Sequence, residues 1–378
     1  MKPISIYIHI PFCKRKCLYC DFPSFAGCEA EYDAYVSALL AEIRERSEDL
    51  RGYRVQTIFF GGGTPTVLPP KVLGKIIDTI HSKYDVGSLA EITTESNPGT
   101  LNKAMLVELA AMHFNRLSMG VQAWQNHLLQ RIGRIHTIEE FLDNYATARE
   151  VGFQNINVDL MFSLPGQTFL DWEETLEKII RLKPEHISAY SLIIEEGTPF
   201  HEMYAKGVFT LPDEKLDREM YTFTKEFLQG NGYHQYEISN FAKEGKESRH
   251  NKVYWRDEEY IGFGLGAHSY FRGERFHNTY DMKQYISAKG DARKLVEERE
   301  TLAEETQIEE FMFMGLRMTE GIENQRFLQR FGKNIHDVFQ EEVEYLVGEK
   351  LLWEKDGFLR LTDRGMDLSN FVFEKFLL

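Results

Sequence analysis

The sequence predicts an α/β protein: an open, partial (β/α)6 barrel followed by a small C-terminal α+β domain of winged-helix type. Three observations carry that expectation. From residue 4 to about 195, short β-branched runs alternate with amphipathic stretches, the signature of parallel strands joined by crossover helices. Six such units can be drawn, two short of the eight that close a (β/α)8 barrel. Beyond residue 300 the order is helix, helix, hairpin, helix. A doubly wound sheet has the same local pattern as the partial barrel. Both architectures place their sites on the loops after the strand C-termini.

In chain order the strand candidates are Ile4 to Ile10, Val55 to Phe60, Leu89 to Thr94, Arg116 to Val121, Asn155 to Leu160 and His186 to Ser191. Between the first two, Tyr32, Tyr35, Val36, Leu39, Leu40 and Ile43 recur at helical spacing and predict one buried face. Similar helices follow the other strands, so the partial barrel is expected over residues 1–200. Over 201–300 the periodicity weakens. A helix is expected near 213–230, and the aromatic, glycine-rich "HNKVYWRDEEYIGFGLGAHSY" at 250–270 suggests an extension covering the barrel mouth. The third region, 301–378, holds helices around "EEFMFMGLRM" and "FQEEVEYLVGEKLL", then "WEKDGFLRLT", whose Asp-Gly pair predicts a hairpin turn.

Composition removes several function classes. Lys and Arg number 44 against 59 Asp and Glu, a net charge of −15, which argues against a broad phosphate-tracking surface and so against nucleic acid as a partner. Residues 301–378 carry 9 basic against 16 acidic side chains, so the winged-helix-like region is not expected to bind DNA either. No apolar run reaches the roughly 18 residues that a membrane-spanning helix needs, and "MKPISIYIHI" reads as a first strand rather than a signal peptide. A cytoplasmic protein is expected.

The four cysteines are unevenly placed. Cys13, Cys17 and Cys20 fall in one loop after the first strand, and Cys28 reads as an ordinary thiol. Thiolates suit zinc, Cu(I) or iron–sulfur clusters. Zinc would need a fourth ligand such as His9 or Asp21, and its sites more often show two separated cysteine pairs than a lone triplet. A [4Fe–4S] cluster on three thiolates leaves one iron without a protein ligand, where a small molecule can chelate. Spacing favours the cluster; zinc and unrelated core cysteines remain the alternatives.

Cys-x3-Cys-x2-Cys, preceded by "YIHIPF" and followed by "GGGTPT" at 61–66, resembles the radical S-adenosylmethionine superfamily. Within it the likeness is to the branch holding the oxygen-independent coproporphyrinogen dehydrogenases and the HemW heme chaperones, and it runs through nearly the whole chain. The resemblance implies a [4Fe–4S] cluster on Cys13, Cys17 and Cys20, whose open iron is chelated by S-adenosylmethionine and whose electron cleaves the sulfonium. It also carries Gly62, Gly63 and Thr64 over as contacts to the methionine moiety. Glu95 in "ESNPGT", Gln122 in "GVQ", Arg134 in "RIGRIHT" and Asp159 in "NVDLMFSLPGQT" are carried over as further contacts. Taken singly, such residues are more often helix caps or satisfied loop polar groups. Tyr7 matches the tyrosine that flanks the cluster in this family, and Tyr19 the aromatic residue before the third cysteine.

Two departures separate the chain from the dehydrogenases. Those enzymes typically carry a further cysteine two residues after the third, where this chain has Phe22, and an extension ahead of the first strand. "HNKVYW", His250 to Trp255, matches the His-Asn-x-x-Tyr-Trp segment of HemW-like proteins. The resemblance therefore implies a heme chaperone rather than a coproporphyrinogen III dehydrogenase: a protein that binds heme, in contact with His250, and passes it to apo-hemoproteins. His250 can equally be a loop histidine over a buried Tyr254 and Trp255; His268 in "GLGAHSY" is the weaker heme candidate. An electron donor such as flavodoxin or ferredoxin, and a homodimer, are compatible with this reading without being signalled by the sequence.

Overall fold

In the computed structural model, which describes residues 1–378, all six strands form. They are β1 (Lys2–Ile10), β2 (Tyr53–Gly62), β3 (Val86–Ser96), β4 (Arg116–Gln122), β5 (Ile156–Phe162) and β6 (His186–Ser191), and each pairs with the next in parallel. Their alternation sorts the side chains. Ile4, Ile6, Ile8 and Ile10 of β1 are buried in the main core with Tyr35, Leu39 and Ile43 of helix α1 (Tyr32–Glu45), while Ser5, Tyr7 and His9 point to the opposite face. In β4 and β5, Leu117, Met119, Val121, Val158, Leu160 and Phe162 join the same core. Ser118, Gly120, Gln122, Asn157 and Asp159 turn inward. One face is thus apolar and helix-covered, and the other is a polar interior.

The middle of the chain departs from expectation. Strand β7 (His234–Glu237) forms the edge by pairing antiparallel with β8 (Asn240–Ala242), which itself adds to β6 antiparallel; β9 (Tyr260–Phe263) adds to β1 in parallel and leads to β10 (His268–Phe271), β11 (Glu274–Asn278) and β12 (Val296–Thr301). The result is one mixed, unclosed twelve-stranded sheet, in the order β12-β11-β10-β9-β1-β2-β3-β4-β5-β6-β8-β7. The segment expected to cover the mouth instead extends both edges of the sheet. Burial of Glu42 on α1 explains one attachment. Its carboxylate, fully buried, accepts hydrogen bonds from Tyr285 Oη (2.6 Å), Asn278 Nδ2 (2.7 Å) and the Gly264 amide (3.0 Å), and pairs with Arg46 at 3.5 Å. A charge taken out of water needs such a set of partners, and all but Arg46 come from the added segment.

Glycines let that segment lie close to β1. At Gly264, whose φ is +108°, a Cβ would stand 2.7 Å from the His9 carbonyl oxygen, while Gly262 lets β9 and β10 close on each other, since a Cβ there would stand 2.2 Å from the His268 carbonyl oxygen. Helix α2 (Arg249–Trp255) carries the "HNKVYW" segment and turns its first residue inward.

The C-terminal region has its own core, built on Phe311, Leu316, Phe327, Phe339, Val343 and Leu352 among others. Its strands β13 (Ile322–Glu323), β14 (Leu352–Lys355) and β15 (Phe358–Leu361) lie in the order β13-β15-β14. Asp356 and Gly357 take positive φ values of 54° and 81°, the left-handed pair that the Asp-Gly turn demands. The ion pair of Arg330 with the buried Asp257, at 2.7 Å, joins this region to the sheet. No helix is long and apolar enough to cross a membrane.

Candidate functional site

The cysteine loop is pinned at both ends. Phe12–Cys13 pairs in parallel with Phe25–Ala26, and the Phe25 amide donates to Pro11 O at 2.7 Å. Between them the Leu18 amide donates to Ile132 O (3.2 Å), and Leu18 O accepts from the Phe200 amide (3.0 Å). The glycine loop after β2 is stitched to the same stretch: the Gly63 amide donates to Ile10 O (2.8 Å) and the Thr64 amide to Phe12 O (2.7 Å). There is no room for side chains at this seam. A Cβ on Gly63 would stand 2.5 Å from Phe12 O, and one on Gly62, whose φ is +105°, 2.4 Å from the His9 ring.

Several expected residues converge here. Thr64 Oγ1 lies 3.6 Å from Cys13 Sγ and accepts from Asn97 Nδ2 at 2.7 Å. Arg134, buried, donates from Nη1 to Cys17 Sγ (3.4 Å) and from Nη2 to Asn97 Oδ1 (2.6 Å) and to the Gly120 carbonyl; its Nε has no partner. Tyr19 stands beside Cys17 and Arg134, its hydroxyl pushed up by burial. Burial also raises the Cys20 thiol to about 11, so without a metal it stays protonated at neutral pH. Gln122 ends β4 at a φ of 74°, a left-handed conformation in a non-glycine residue, next to Gly120 and the Arg134 guanidinium.

Glu95 and Asp159 form the polar floor. Burial lifts the Glu95 carboxyl to about 8, and the nearby Asp159 adds to the rise, while the Gly62 amide and Arg116 pull it back. Asp159 is held by Ser118 Oγ (2.9 Å) and Asn157 Nδ2 (2.8 Å). Tyr7 shares a hydrogen bond with His9 Nδ1 (2.9 Å), whose other nitrogen meets Pro23 O at 3.0 Å. Burial lowers His9 to about 4, so it is neutral, with Nε2–H donating to Pro23 and Nδ1 accepting from Tyr7.

His250 is placed otherwise than as an open heme contact. It is 1 % exposed, both ring nitrogens are engaged, with Thr57 Oγ1 at 2.6 Å and Tyr254 Oη at 2.9 Å, and its ring stacks on Phe59 at 5.0 Å. No lone pair is left for an iron. The reason lies in β2: Thr57 and Phe59 face the interior and need a polar and a flat partner, and the imidazole is both. Sequence reasoning missed Asn97, and it raised His9 only as a possible zinc ligand, not as the partner of Tyr7. The first stands inside the quoted "ESNPGT" two residues beyond Glu95, the second two beyond Tyr7, so their inward parity in β1 and at the end of β3 was the available signal.

The residues fit the groups that the cysteine pattern implies. Three thiols lie on one loop beside a cradle that any Cβ would fill, and a buried guanidinium with an unsatisfied nitrogen stands over them. Three thiolates and no fourth cysteine on the loop suit a cluster with one open iron. A cavity of about 960 Å³ lies elsewhere, at the start of β1 against the C-terminal region, lined by Lys2, Ser5, Arg249, Phe311 and Arg330 among others. Being at the opposite ends of the strands, it is no part of this site.

Fold and cysteine loop together define a radical S-adenosylmethionine protein: the family model of the Radical SAM superfamily matches residues 7–179, and that of the HemN C-terminal domain residues 302–368. Among relatives, the heme chaperone HemW of Bacillus subtilis is 40% identical over 99% of this chain and 99% of its own length. That of Lactococcus lactis subsp. lactis is 39% identical over 100% and 98%, and that of Escherichia coli 33% over 100% and 99%. The chain belongs to the HemW family. Among solved structures, coproporphyrinogen III oxidase (HemN) of Escherichia coli superimposes with a TM-score of 0.87 at 24% identity, covering 100% of this chain and 90% of that one, a likeness of fold. Membership of the superfamily implies a [4Fe–4S] cluster and S-adenosylmethionine as cofactors.

Proposed function

We propose that this protein is a cytoplasmic heme chaperone, binding heme and passing it to apo-hemoproteins, with a [4Fe–4S] cluster on Cys13, Cys17 and Cys20. Full-length likeness to three proteins named heme chaperone HemW is the observation that carries the reading. Phe22 adds to it, because a phenyl ring stands where the related dehydrogenases typically have a cysteine.

In this reading S-adenosylmethionine lies between the cysteine loop and the inner face. Gly62, Gly63 and Thr64 offer backbone to its methionine end, Glu95 and Asp159 accept from hydroxyls, and Gln122 donates and accepts at one position. The unpartnered Nε of Arg134 is directed to a carboxylate. Tyr7 and Tyr19 flank the cluster. When bound, the cluster and S-adenosylmethionine supply one-electron chemistry; the chain's own residues hold them, shield them and fix the protonation of His9.

Anaerobic reconstitution followed by incubation with hemin, and separately with reductant and coproporphyrinogen III, tests the function. Stoichiometric heme uptake, transfer to an apo-hemoprotein and no porphyrin product are expected. Turnover to protoporphyrinogen IX would establish the dehydrogenase instead.

A further inference from the structure

A second opening adjoins the nucleoside chamber. It is a groove of about 340 Å³ walled by Tyr7, Phe22, Tyr254, Tyr260, His268 and Tyr280. Phe22 is 61 % exposed and Tyr280 45 %, so large flat side chains stand free at its rim. His268, on β10, is exposed too; its Nε2 meets Tyr280 Oη at 2.7 Å and its Nδ1 makes no hydrogen bond. A second imidazole, His277, lies beside it, ring centroids 4.9 Å apart.

From this arrangement we infer that the groove is the porphyrin seat and that His268 is the axial ligand of its iron. This deepens the heme reading above and rests on it. Four kinds of observation meet here. Tyrosine and phenylalanine walls match a flat conjugated macrocycle, which packs by area and by ring contact. A neutral imidazole with one nitrogen spoken for and one lone pair free is what a heme iron takes. Tyr280 orients that ring, and in the tautomer this assignment requires, with Nε2–H donating to Tyr280 Oη, the lone pair falls on Nδ1. The wall is also built on purpose. Gly266, at a φ of +62°, has no Cβ because one would stand 2.6 Å from the Tyr280 ring.

Position gives the inference its functional weight. Tyr7, Phe22 and Tyr254 also line a smaller chamber of about 200 Å³ with Gly62, Glu95 and His250. A macrocycle in the groove is therefore separated from the nucleoside chamber by one layer of side chains. Tyr254 makes sense of the "HNKVYW" segment: it meets Tyr260 edge-on, ring centroids 4.7 Å apart, and is held by the hydrogen bond to His250. The segment thus reaches the groove through its tyrosine, with His250 as the positioning residue behind it.

Hemin titrations followed by absorbance test this on the full chain with its cluster reconstituted. His268→Ala is expected to weaken binding at least tenfold and to move the Soret band from its histidine-ligated position, with iron content of the cluster and circular dichroism unchanged. Phe22→Ala is expected to weaken binding while leaving the band where it is. A His268→Ala titration and spectrum equal to those of the wild type would overturn the assignment and leave the chaperone reading standing, as would loss of ligation in His277→Ala alone. Failure of the wild type to take up heme would overturn both.

Discussion

The Arg134 guanidinium stands 3.4 Å from Cys17 Sγ while its other terminal nitrogen is fixed 2.6 Å from Asn97 Oδ1. A buried cation therefore touches one of the three thiols through a hydrogen bond that Asn97 aims. Asn97 in turn donates to Thr64, which neighbours Cys13, so two of the three sulfurs are tied to one amide.

A cation beside a thiolate favours the reduced, more negative cluster. Arg134→Met is expected to lower the midpoint potential of the reconstituted cluster by about 40–65 mV, the one-electron equivalent of losing about 1–1.5 kcal/mol of charge-assisted hydrogen bonding. A redox titration followed by electron paramagnetic resonance reads it. A potential equal to that of the wild type would show that the contact is not made.

Backbone approach at the glycine seam is steric, and Gly63→Ala tests it directly. With a carbonyl oxygen 2.5 Å from the new Cβ, the β1 and β2 loops must part, at a cost of about 2–4 kcal/mol. Chemical denaturation of the apo protein measures this. On the proposed function, in which this loop offers its backbone to S-adenosylmethionine, binding of that ligand should fall with it.

Glu95 makes stability depend on pH. Its folded pKa of about 8 lies above the ordinary value of 4.5, so the folded state holds a proton that the unfolded chain gives up. The carboxyl thus costs nothing below pH 4.5, and its penalty grows as pH rises to about 8. Glu95→Gln removes it. The variant is expected to match the wild type at pH 4.5 and to exceed it at pH 8.5 by about 1–3 kcal/mol, discounted for solvent reaching the chamber. Denaturation midpoints at the two pH values decide; a constant difference would contradict the assignment.

His250→Ala is expected to destabilise the protein by about 2–4 kcal/mol, since it empties a fully packed position and leaves the Thr57 and Tyr254 hydroxyls without their partner. The melting temperature should fall by several degrees. His250→Gln, which keeps hydrogen-bonding capacity, should recover part of the loss. A neutral His250→Ala would mean that the imidazole is not the strut the geometry describes.

Much was legible in the chain alone, because the information was local. Polar and apolar residues alternate along "SIYIHI", "RLSMGVQ" and "INVDLMF", and that period of two marks both the strands and their inner faces. The strands followed to within a few residues, and β6 with the expected bounds, His186 to Ser191. The thiol spacing lies within eight consecutive residues, and so does the Asp-Gly turn. The glycine run after β2 needed only its neighbours to be noticed.

What the tertiary structure decided lies between residues far apart in the chain. Thr57 and His250 are 193 positions apart, and their 2.6 Å hydrogen bond turned an expected heme contact into a buried strut. Glu42 and Asn278 are 236 apart, and their bond helps draw the middle segment onto the sheet edge rather than over the mouth. Periodicity records which face of an element is apolar, but not which distant element will satisfy its polar groups. That choice is made by burial, where each carboxylate, imidazole and hydroxyl removed from water must find a partner.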